Sequence, residues 1–289
     1  MAVEAGALSS ALAGLDALEE ALLHEPSWPR RTWSLLWPKL AAIALAIFLW
    51  QCVVWWHWRP EYVLPAPGTV FRYLWDQADT GRFWSAIGRT LKRGITGYLV
   101  AVVLGTLLGM AVARVKVLRV AIGSMITGLQ TMPSVAWLPL AVVLFQLGEG
   151  AILFVVILGA TPSIANGVIS GIDHVPPLLL RSGRMLGAKG LATYRHVVMP
   201  AALPTFVGGL KQGWSFAWRS LMAGELIAFF PGKFSIGQEM ENAKNVNDMA
   251  GLVGWMVVIL ILGIVIDTVF TKADLTLRKR WGLIDNASS

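Results

Sequence analysis

Six apolar stretches divide this sequence, and each is long enough to cross the hydrocarbon core of a bilayer as a helix. At 1.5 Å per residue, the first would cover roughly 28 Å. Inside a bilayer a single segment can satisfy all its backbone hydrogen bonds only as a helix. The sequence therefore predicts an all-α integral membrane protein with six transmembrane helices. The stretches lie at about 37–56, 95–113, 120–146, 151–171, 205–229 and 251–270.

The composition agrees with a membrane location. Charged residues make up 14% of the 289 residues, well below the roughly 25% of soluble domains. The net charge of +7 indicates basic loops beside lipid headgroups, so we expect membrane lipid and no nucleic acid as a partner. Most of the 24 lysines and arginines fall in segments that would be cytoplasmic if both termini were. We therefore predict cytoplasmic N- and C-termini.

The N-terminal residues differ from the rest of the chain. Residues 1–29 contain five acidic residues and no lysine or arginine, so they lack the basic start of a secretory signal. The leucines at helical spacing predict an amphipathic helix, which is short enough that its order is left open. We divide the chain into an acidic amphipathic extension, residues 1–31, and a six-span domain, residues 32–289. The leucines are Leu8, Leu12, Leu15, Leu18 and Leu22.

Two of the predicted spans carry proline and polar residues. The third contains Pro133 and Pro139 beside Gln130 and Ser134, and the fourth contains Pro162. Such helices are tolerated where they face protein or a watery cavity. The prolines mark either a binding site at a broken helix or a kink in a packed one. Gln130 and Ser134 are candidate residues of a translocation pathway.

The fifth span contains charged residues. Lys211, Trp218 and Glu225 recur at intervals of seven and so share one helical stripe. Trp218 and Glu225 either line a pathway or gate at a dimer axis, or Glu225 pins a neighbouring helix while Lys211 reaches the interface. Arg219, on another face, could attract an anionic substrate or pair with a carboxylate. We expect Asp267, in the last span, to pair with the basic C-terminal tail.

The longest predicted cytoplasmic loop, residues 172–204, follows the fourth span. Two short helical stretches, at about 177–186 and 191–198, meet at Gly187. Their apolar faces are too short to cross a bilayer, while basic residues supply the other face. A helix–turn–helix that projects from a membrane domain in this way indicates a docking element.

This loop resembles the signature of the binding-protein-dependent ABC importer permeases, E-A-A-x3-G-x9-I-x-L-P. Gly187 matches the glycine, and Val197, Met199 and Pro200 follow at the matching spacing. An arginine, Arg181, stands where the family has glutamate, so we expect it to find an acidic or polar partner on this chain or on the ATPase. The resemblance implies that Leu186, Gly187, Ala188 and their neighbours insert into a groove of a cytoplasmic ATP-binding subunit. The implied coupling residues are Arg181, Ser182, Gly183, Leu186, Gly187, Ala188, Val197, Met199 and Pro200.

Three further segments resemble the permeases for nitrate, sulfonates and taurine. The stretch LPAPGTV at 64–70 is similar to that group's LPxPxxV segment. Two other sets match its S-L-x-R-x3-G stretch and its fifth span. These sets are Thr90, Leu91, Arg93, Gly97, Gly105 and Gly109, and Trp214, Trp218, Ala223 and Glu225.

The resemblance implies the following assembly. A homodimer of this chain, multi-pass in the bacterial plasma (inner) membrane, would work with two ATP-binding cassette subunits and a periplasmic or lipid-anchored solute-binding protein. The solute would be small and anionic, of the sulfonate, taurine or nitrate type. The sequence has no G-x-x-x-x-G-K-[ST] motif, so we expect no cofactor in this chain, with ATP and magnesium bound by the partner subunit.

Two other classes of membrane protein fit the sequence less well. A membrane enzyme would need convergent catalytic residues, and the sequence has neither G-x-S-x-G nor H-E-x-x-H. An ion-coupled secondary transporter would predict an inverted repeat with broken helices in both halves, and it would leave the Gly187 loop unexplained.

Overall fold

The computed structural model describes residues 28–227 and 234–280, with side chains from residue 37 onward, and this part of the chain contains helices but no strand. Most of the predicted N-terminal extension lies outside the described residues. The chain divides into two units, residues 1–67 and 68–289. The helices are α1 (Trp28–Trp55), α2 (Pro67–Ala78), α3 (Gly81–Arg114), α4 (Lys116–Thr131), a 3₁₀ turn (Ser134–Trp137), α5 (Leu138–Phe145), α6 (Glu149–Asp173), α7 (Pro177–Met185), α8 (Leu191–Thr193), a π turn (Tyr194–Val198), α9 (Met199–Ile227), α10 (Ile236–Asn245) and α11 (Met249–Arg280).

Among the described residues, four helices are long and apolar enough to cross a membrane: α1 over Trp37–Trp55, α3, α6 and α11. A fifth span results if α4 and the helical residues Ser134–Phe145 count as one broken span, whose two parts are bent by 106°. Helix α9 has the length, 29 residues, but its polar and charged residues keep it outside this set. The chain is therefore a multi-pass membrane protein.

Small residues let α3, α6 and α9 approach closely, as in many transmembrane helix pairs. A Cβ atom added to Gly109 of α3 would lie 2.7 Å from the carbonyl oxygen of Ala165 on α6. Where α6 crosses α9, a Cβ on Gly167 would lie 2.6 Å from the Cα of Gly209, and the reverse holds for Gly209. These crossings hold the three helices together as the centre of residues 68–289.

An aromatic cluster completes this core. Trp214 and Trp218 stack on α9 with ring centroids 6.2 Å apart, and Tyr98 of α3 meets Trp214 edge-on at 5.2 Å. The Tyr98 hydroxyl donates to the Leu210 carbonyl at 2.9 Å, so its polar end is satisfied within the apolar interior. Phe270 of α11 packs against the same rings.

The two ends of α3 contact different parts of the chain. Arg82, at its start, contacts Glu239 of α10, whereas Arg114, at its end, contacts Tyr194. With 34 residues, α3 separates these contacts by about 50 Å. We call the two ends of the bundle the α10 end and the loop end.

Candidate functional site

A charge network lies toward the α10 end, formed by the buried residues Thr90 and Arg93 of α3 and Glu225 of α9 and by the half-exposed Glu149 of α6. The Glu225 side chain is fully buried, and its Oε1 lies 3.1 Å from Nη1 of Arg93. The second guanidinium nitrogen of Arg93, Nη2, lies 3.3 Å from Oε1 of Glu149. Thr90 donates its hydroxyl to Oε2 of Glu225 at 2.9 Å. Because each charge has an opposite partner, the network avoids the cost of isolated buried ions.

The same network holds the start of α10. The backbone N–H of Ile236 donates to the Thr90 hydroxyl at 3.0 Å, and that of Gly237 donates to Glu225 at 3.2 Å. Nearby, Arg82 pairs with Glu239 through two hydrogen bonds of 2.9 Å. Glu225 therefore joins α3, α9 and the N-terminal turn of α10.

Thr90, Arg93 and Glu149 are not among the candidate site residues predicted from the sequence. The predicted second span began near residue 95, so Thr90 and Arg93 fell outside it, whereas the structure begins α3 at Gly81. Thr90, Arg93 and Gly97 follow at helical spacing, and all three are buried. Helical spacing continued from the predicted span toward the N-terminus puts Arg93 on the same face as Gly97. This spacing is the signal that could have revealed a charged residue inside the helix.

The other two residues of the α9 stripe, Lys211 and Trp218, contact neighbouring helices of the same chain. Trp218 is buried in the aromatic cluster, so neither it nor Glu225 is exposed for contact with a second copy. The Lys211 ammonium lies 3.0 Å from Asp267 and donates to Thr271 at 2.8 Å. The expectation that Asp267 pairs with the basic tail is wrong, because Lys211 of α9 stands beside it when α9 and α11 pack together.

Arg219 lies on a different face of α9 and is exposed. Its Nε donates to the Ser215 carbonyl one turn earlier at 3.1 Å, and its guanidinium lies 4.9 Å from the Phe216 ring centroid. Within the part of the chain that the structure describes, it has no carboxylate partner. Its two terminal nitrogens therefore have no acceptor from those residues.

The predicted proline kink occurs at Pro133 alone, between α4 and the 3₁₀ turn. Pro139 lies in the first turn of α5, where proline costs no helical hydrogen bond. Helix α6 continues through Pro162, because one missing N–H does not end a helix packed on both sides.

Polar groups line the α6 side of this break. Gln130, at the end of α4, accepts a long hydrogen bond of 3.4 Å from Asn166, and its Nε2 is buried without a partner. The hydroxyls of Thr161 and Ser163 are buried and unpaired as well. Ser134 is half-buried beside the break, with its Cβ 3.7 Å from where a Cβ on Gly159 would lie.

At the loop end, α7 and α8 form the predicted helix–turn–helix. Gly187 has φ +85°, a backbone conformation that favours glycine. The N–H of Ala188 closes the turn on the Gly183 carbonyl at 2.9 Å. A Cβ on Gly183 would lie 2.7 Å from Val197 Cγ2, so two of the predicted coupling residues pack against each other.

The tip of this turn is apolar and exposed. The side chains of Met185 and Leu186 are each 88% exposed. Arg181 and Ser182 are exposed on α7, and Arg181 makes no ion pair among the described residues. Met199 and Pro200 form the first turn of α9, directly after the π turn. The loop therefore joins the start of α9 without a break.

Known proteins are similar in sequence to most of this chain. Residues 101–280 match the family described as "Binding-protein-dependent transport system inner membrane component". A Methanocaldococcus jannaschii protein named as an ABC transporter permease is 28% identical over 233 residues, covering 79% of this chain and 86% of the relative.

Two relatives have names that include a solute. The taurine transport system permease protein TauC of Escherichia coli is 27% identical over 194 residues, covering 65% of this chain and 70% of TauC. The nitrate import permease protein NrtB of Leptolyngbya laminosa is 28% identical over 173 residues, covering 60% of this chain and 61% of NrtB. These names agree with the resemblance to the nitrate, sulfonate and taurine permeases.

Solved structures share the fold. A chain of the MetNI methionine ABC transporter in an inward-facing conformation superposes with a TM-score of 0.55 at 19% identity. The match covers 67% of this chain and 93% of that one.

Proposed function

Because this chain belongs to the family of binding-protein-dependent transport system inner membrane components, we propose that it is the permease subunit of an ATP-driven importer. It works in the bacterial inner membrane as a homodimer with two ATP-binding cassette subunits. An external binding protein delivers the solute. ATP and magnesium bind the partner subunits, and this chain contributes the pathway and the docking loop.

The proposed topology has six spans: α1, α3, the broken pair α4 and Ser134–Phe145, α6, α9 and α11. Helix α9 counts as a span because α3, α6 and α11 pack around it, and two of its charges, Lys211 and Glu225, are paired. The loop end is cytoplasmic, as is each terminus, in agreement with the excess of basic residues there.

The observation that carries the proposal is the exposed apolar turn at Met185 and Leu186. Large apolar side chains that are almost fully exposed on a cytoplasmic loop indicate a surface covered by a partner. The turn is held by Gly187 and by the contact of Gly183 with Val197. The π turn then continues into α9. Closure of the ATP-binding subunits would therefore move the start of α9 and open the pathway toward the binding protein.

The proposed solute is a small anion of the sulfonate, taurine or nitrate type. Arg219 supports this class, because a cation within a span is costly unless it meets water, an anion or a partner. Gln130 and Ser134 supply neutral polar groups at the broken span. Trp218 and Glu225 are both buried, so in this proposal they support the pathway by holding α9 in position from inside the protomer and do not contact the solute.

The test is co-purification of the ATP-binding subunit with the tagged full-length chain. Leu186→Asp places a charge at the centre of the proposed contact, and we expect the ATPase to be lost from the purified complex. Val246→Asp is the matched control, because Val246 is 74% exposed and lies at the α10 end. Retention of the ATPase by Leu186→Asp, or equal loss in both variants, would contradict the docking assignment.

A further inference from the structure

A cavity of about 690 Å³ lies at the loop end; Met199 and Pro200 of the predicted coupling residues line it, but the exposed turn at Met185 and Leu186 does not. Its walls are formed by the last turns of α3 and α6 and by the chain from Leu191 to Phe206. The side chains that face it are mostly apolar, including Met110, Val168, Ile172 and Leu203. This volume is within the range of about 300–1,000 Å³ that is usual for small-molecule sites.

Two arginines border this apolar cavity. Arg114 is the last residue of α3, and its guanidinium lies 4.2 Å from the ring centroid of Tyr194. Arg195, the next residue along the π turn, also lines the cavity. Both arginines are exposed, and neither has a carboxylate partner within residues 37–227 and 234–280. Asp173, which ends α6, is paired with Arg119 at 2.8 Å.

The cavity lies at the boundary of the apolar part of the bundle. The α3 residues before Arg114 form a membrane-crossing segment, so Arg114 marks the point where that segment reaches the polar interface. Tyr194 is an aromatic residue of the kind that favours this depth. An occupant of the cavity would therefore have its apolar part among the helices and its polar part beside the two arginines.

We propose that this cavity binds an anionic phospholipid from the adjoining leaflet. One acyl chain lies along Met110, Val168 and Leu203, and the phosphate lies between Arg114 and Arg195. Apolar walls exclude a small polar solute as the main occupant, because they offer it few hydrogen bonds. Two guanidinium groups without carboxylate partners favour a headgroup of net negative charge over a zwitterionic one, whose own cation they would repel, and over a neutral one that lacks a phosphate. Basic pockets between transmembrane helices at the cytoplasmic side are a known physical basis for such recognition.

The test uses the full-length chain co-purified with its ATP-binding subunit in mild detergent. Native mass spectrometry follows the titration of the complex with phosphatidylglycerol and with phosphatidylcholine of the same acyl chains. We expect phosphatidylglycerol to bind more tightly. In Arg114→Gln combined with Arg195→Gln, its affinity should fall by about tenfold or more, since each interfacial cation contributes to anionic lipid binding. Phosphatidylcholine binding should change little.

The matched control is Lys116→Gln combined with Lys189→Gln. These lysines are exposed at the same end but do not line the cavity, so the control removes two charges without touching the proposed site. Phosphatidylglycerol affinity should stay within about twofold of the parent, because screened surface charges contribute little. An equal loss in both double variants would overturn the proposal, since it would indicate general attraction to a basic surface.

A third variant, Met110→Trp, fills the cavity and keeps both arginines. We expect it to weaken phosphatidylglycerol binding. In the parent protein, we expect that glycerol-3-phosphate, which has no acyl chain, does not compete with phosphatidylglycerol. Effective competition by glycerol-3-phosphate would overturn the acyl-chain part. The same spectra report the number of permease and ATP-binding subunits. If Met110→Trp changed the subunit count and left lipid binding intact, the cavity would be a protein contact and the lipid assignment would be wrong.

Discussion

Arg93 and Glu225 form an ion pair, with 3.1 Å between Nη1 and Oε1, in which the side chains are 5% and 0% exposed. They lie 132 residues apart in the sequence. The pair joins α3 to α9, and the start of α10 is added because the N–H of Gly237 donates to Glu225 and that of Ile236 donates to the neighbouring Thr90. Glu225 therefore links three segments inside the protomer, and this structural role can be tested separately from contact with the solute.

Glu225→Gln keeps the shape of the side chain and removes its charge. We expect it to lower the stability of the complex by about 1–3 kcal/mol, because Arg93 loses its buried partner and keeps only the half-exposed Glu149. Uptake per assembled complex should stay near that of the parent. Thermal unfolding and uptake of the purified, reconstituted complex measure the two effects. Glu241→Gln is the control, since the side chains of its pair with Lys244 are 33% and 60% exposed and such a pair should be worth about 1 kcal/mol or less. Normal stability with lost uptake would instead assign Glu225 to the pathway.

Replacing both partners tests the pair itself. The double variant Arg93→Leu with Glu225→Leu leaves no uncompensated charge between these positions. We expect it to be less destabilised than either single leucine variant, because isolated buried charges cost more than a matched apolar pair. Additive destabilisation in the thermal unfolding of the three variants would show that the two side chains do not depend on each other.

Gly187→Val should uncouple ATP hydrolysis from transport. The backbone at φ +85° is strained for a β-branched residue although no atom lies within 4 Å of an added Cβ. We expect loss of substrate-stimulated ATPase activity and of uptake, with membrane insertion retained. Gly187→Asn is the control, because asparagine tolerates this conformation best among the other residues. Full stimulation in the valine variant would remove Gly187 from the coupling residues.

Adjacent glycines of α9 offer a test of helix packing. An added Cβ at Gly209 would meet the Gly167 backbone at 2.6 Å, whereas one at Gly208 meets nothing within 4 Å. Gly209→Ala should therefore lower stability by about 1–3 kcal/mol through overpacking. Gly208→Ala should be neutral or stabilise by up to about 1 kcal/mol, since alanine favours the helix. Thermal unfolding in detergent compares them, and equal effects would place the crossing of α6 and α9 elsewhere.

Arg219→Gln tests the proposed preference for anions. The contacts of Arg219 with Ser215 and Phe216 are local to α9, so stability should change little. We expect uptake of the transported anion to fall by about tenfold, equivalent to roughly 1.4 kcal/mol, whereas Arg219→Lys retains the charge and much of the activity. Unchanged uptake in the glutamine variant would show that the charge at this position does not take part.

The apolar stretches and the loop could be predicted from the sequence because each depends on local properties. Transfer of apolar residues into a bilayer is nearly additive along a segment, so α1, α3, α6 and α11 were foreseen, although α3 begins at Gly81 rather than near residue 95. The turn at Gly187 follows from glycine's tolerance of positive φ. The bend of 106° after α4 was only partly foreseen. In the sequence Pro133 and Pro139 both disfavour a continuous helix, but Pro133 lies at the break whereas Pro139 lies in the first turn of α5, where proline is tolerated.

Local sequence properties were enough to predict that the chain is helical, that it crosses a membrane repeatedly and that it carries a projecting loop with apolar residues at the turn. Which helix faces meet could be learned only from the packing of the helices. The pairing of Arg93 with Glu225, of Lys211 with Asp267 and of Gly167 with Gly209 depends on how α3, α6, α9 and α11 cross. Helical spacing gives the face on which a residue lies, but the face gains a partner only when another helix packs there. The location of Glu225 inside the protomer is therefore a property of packing, and its charge alone did not reveal it.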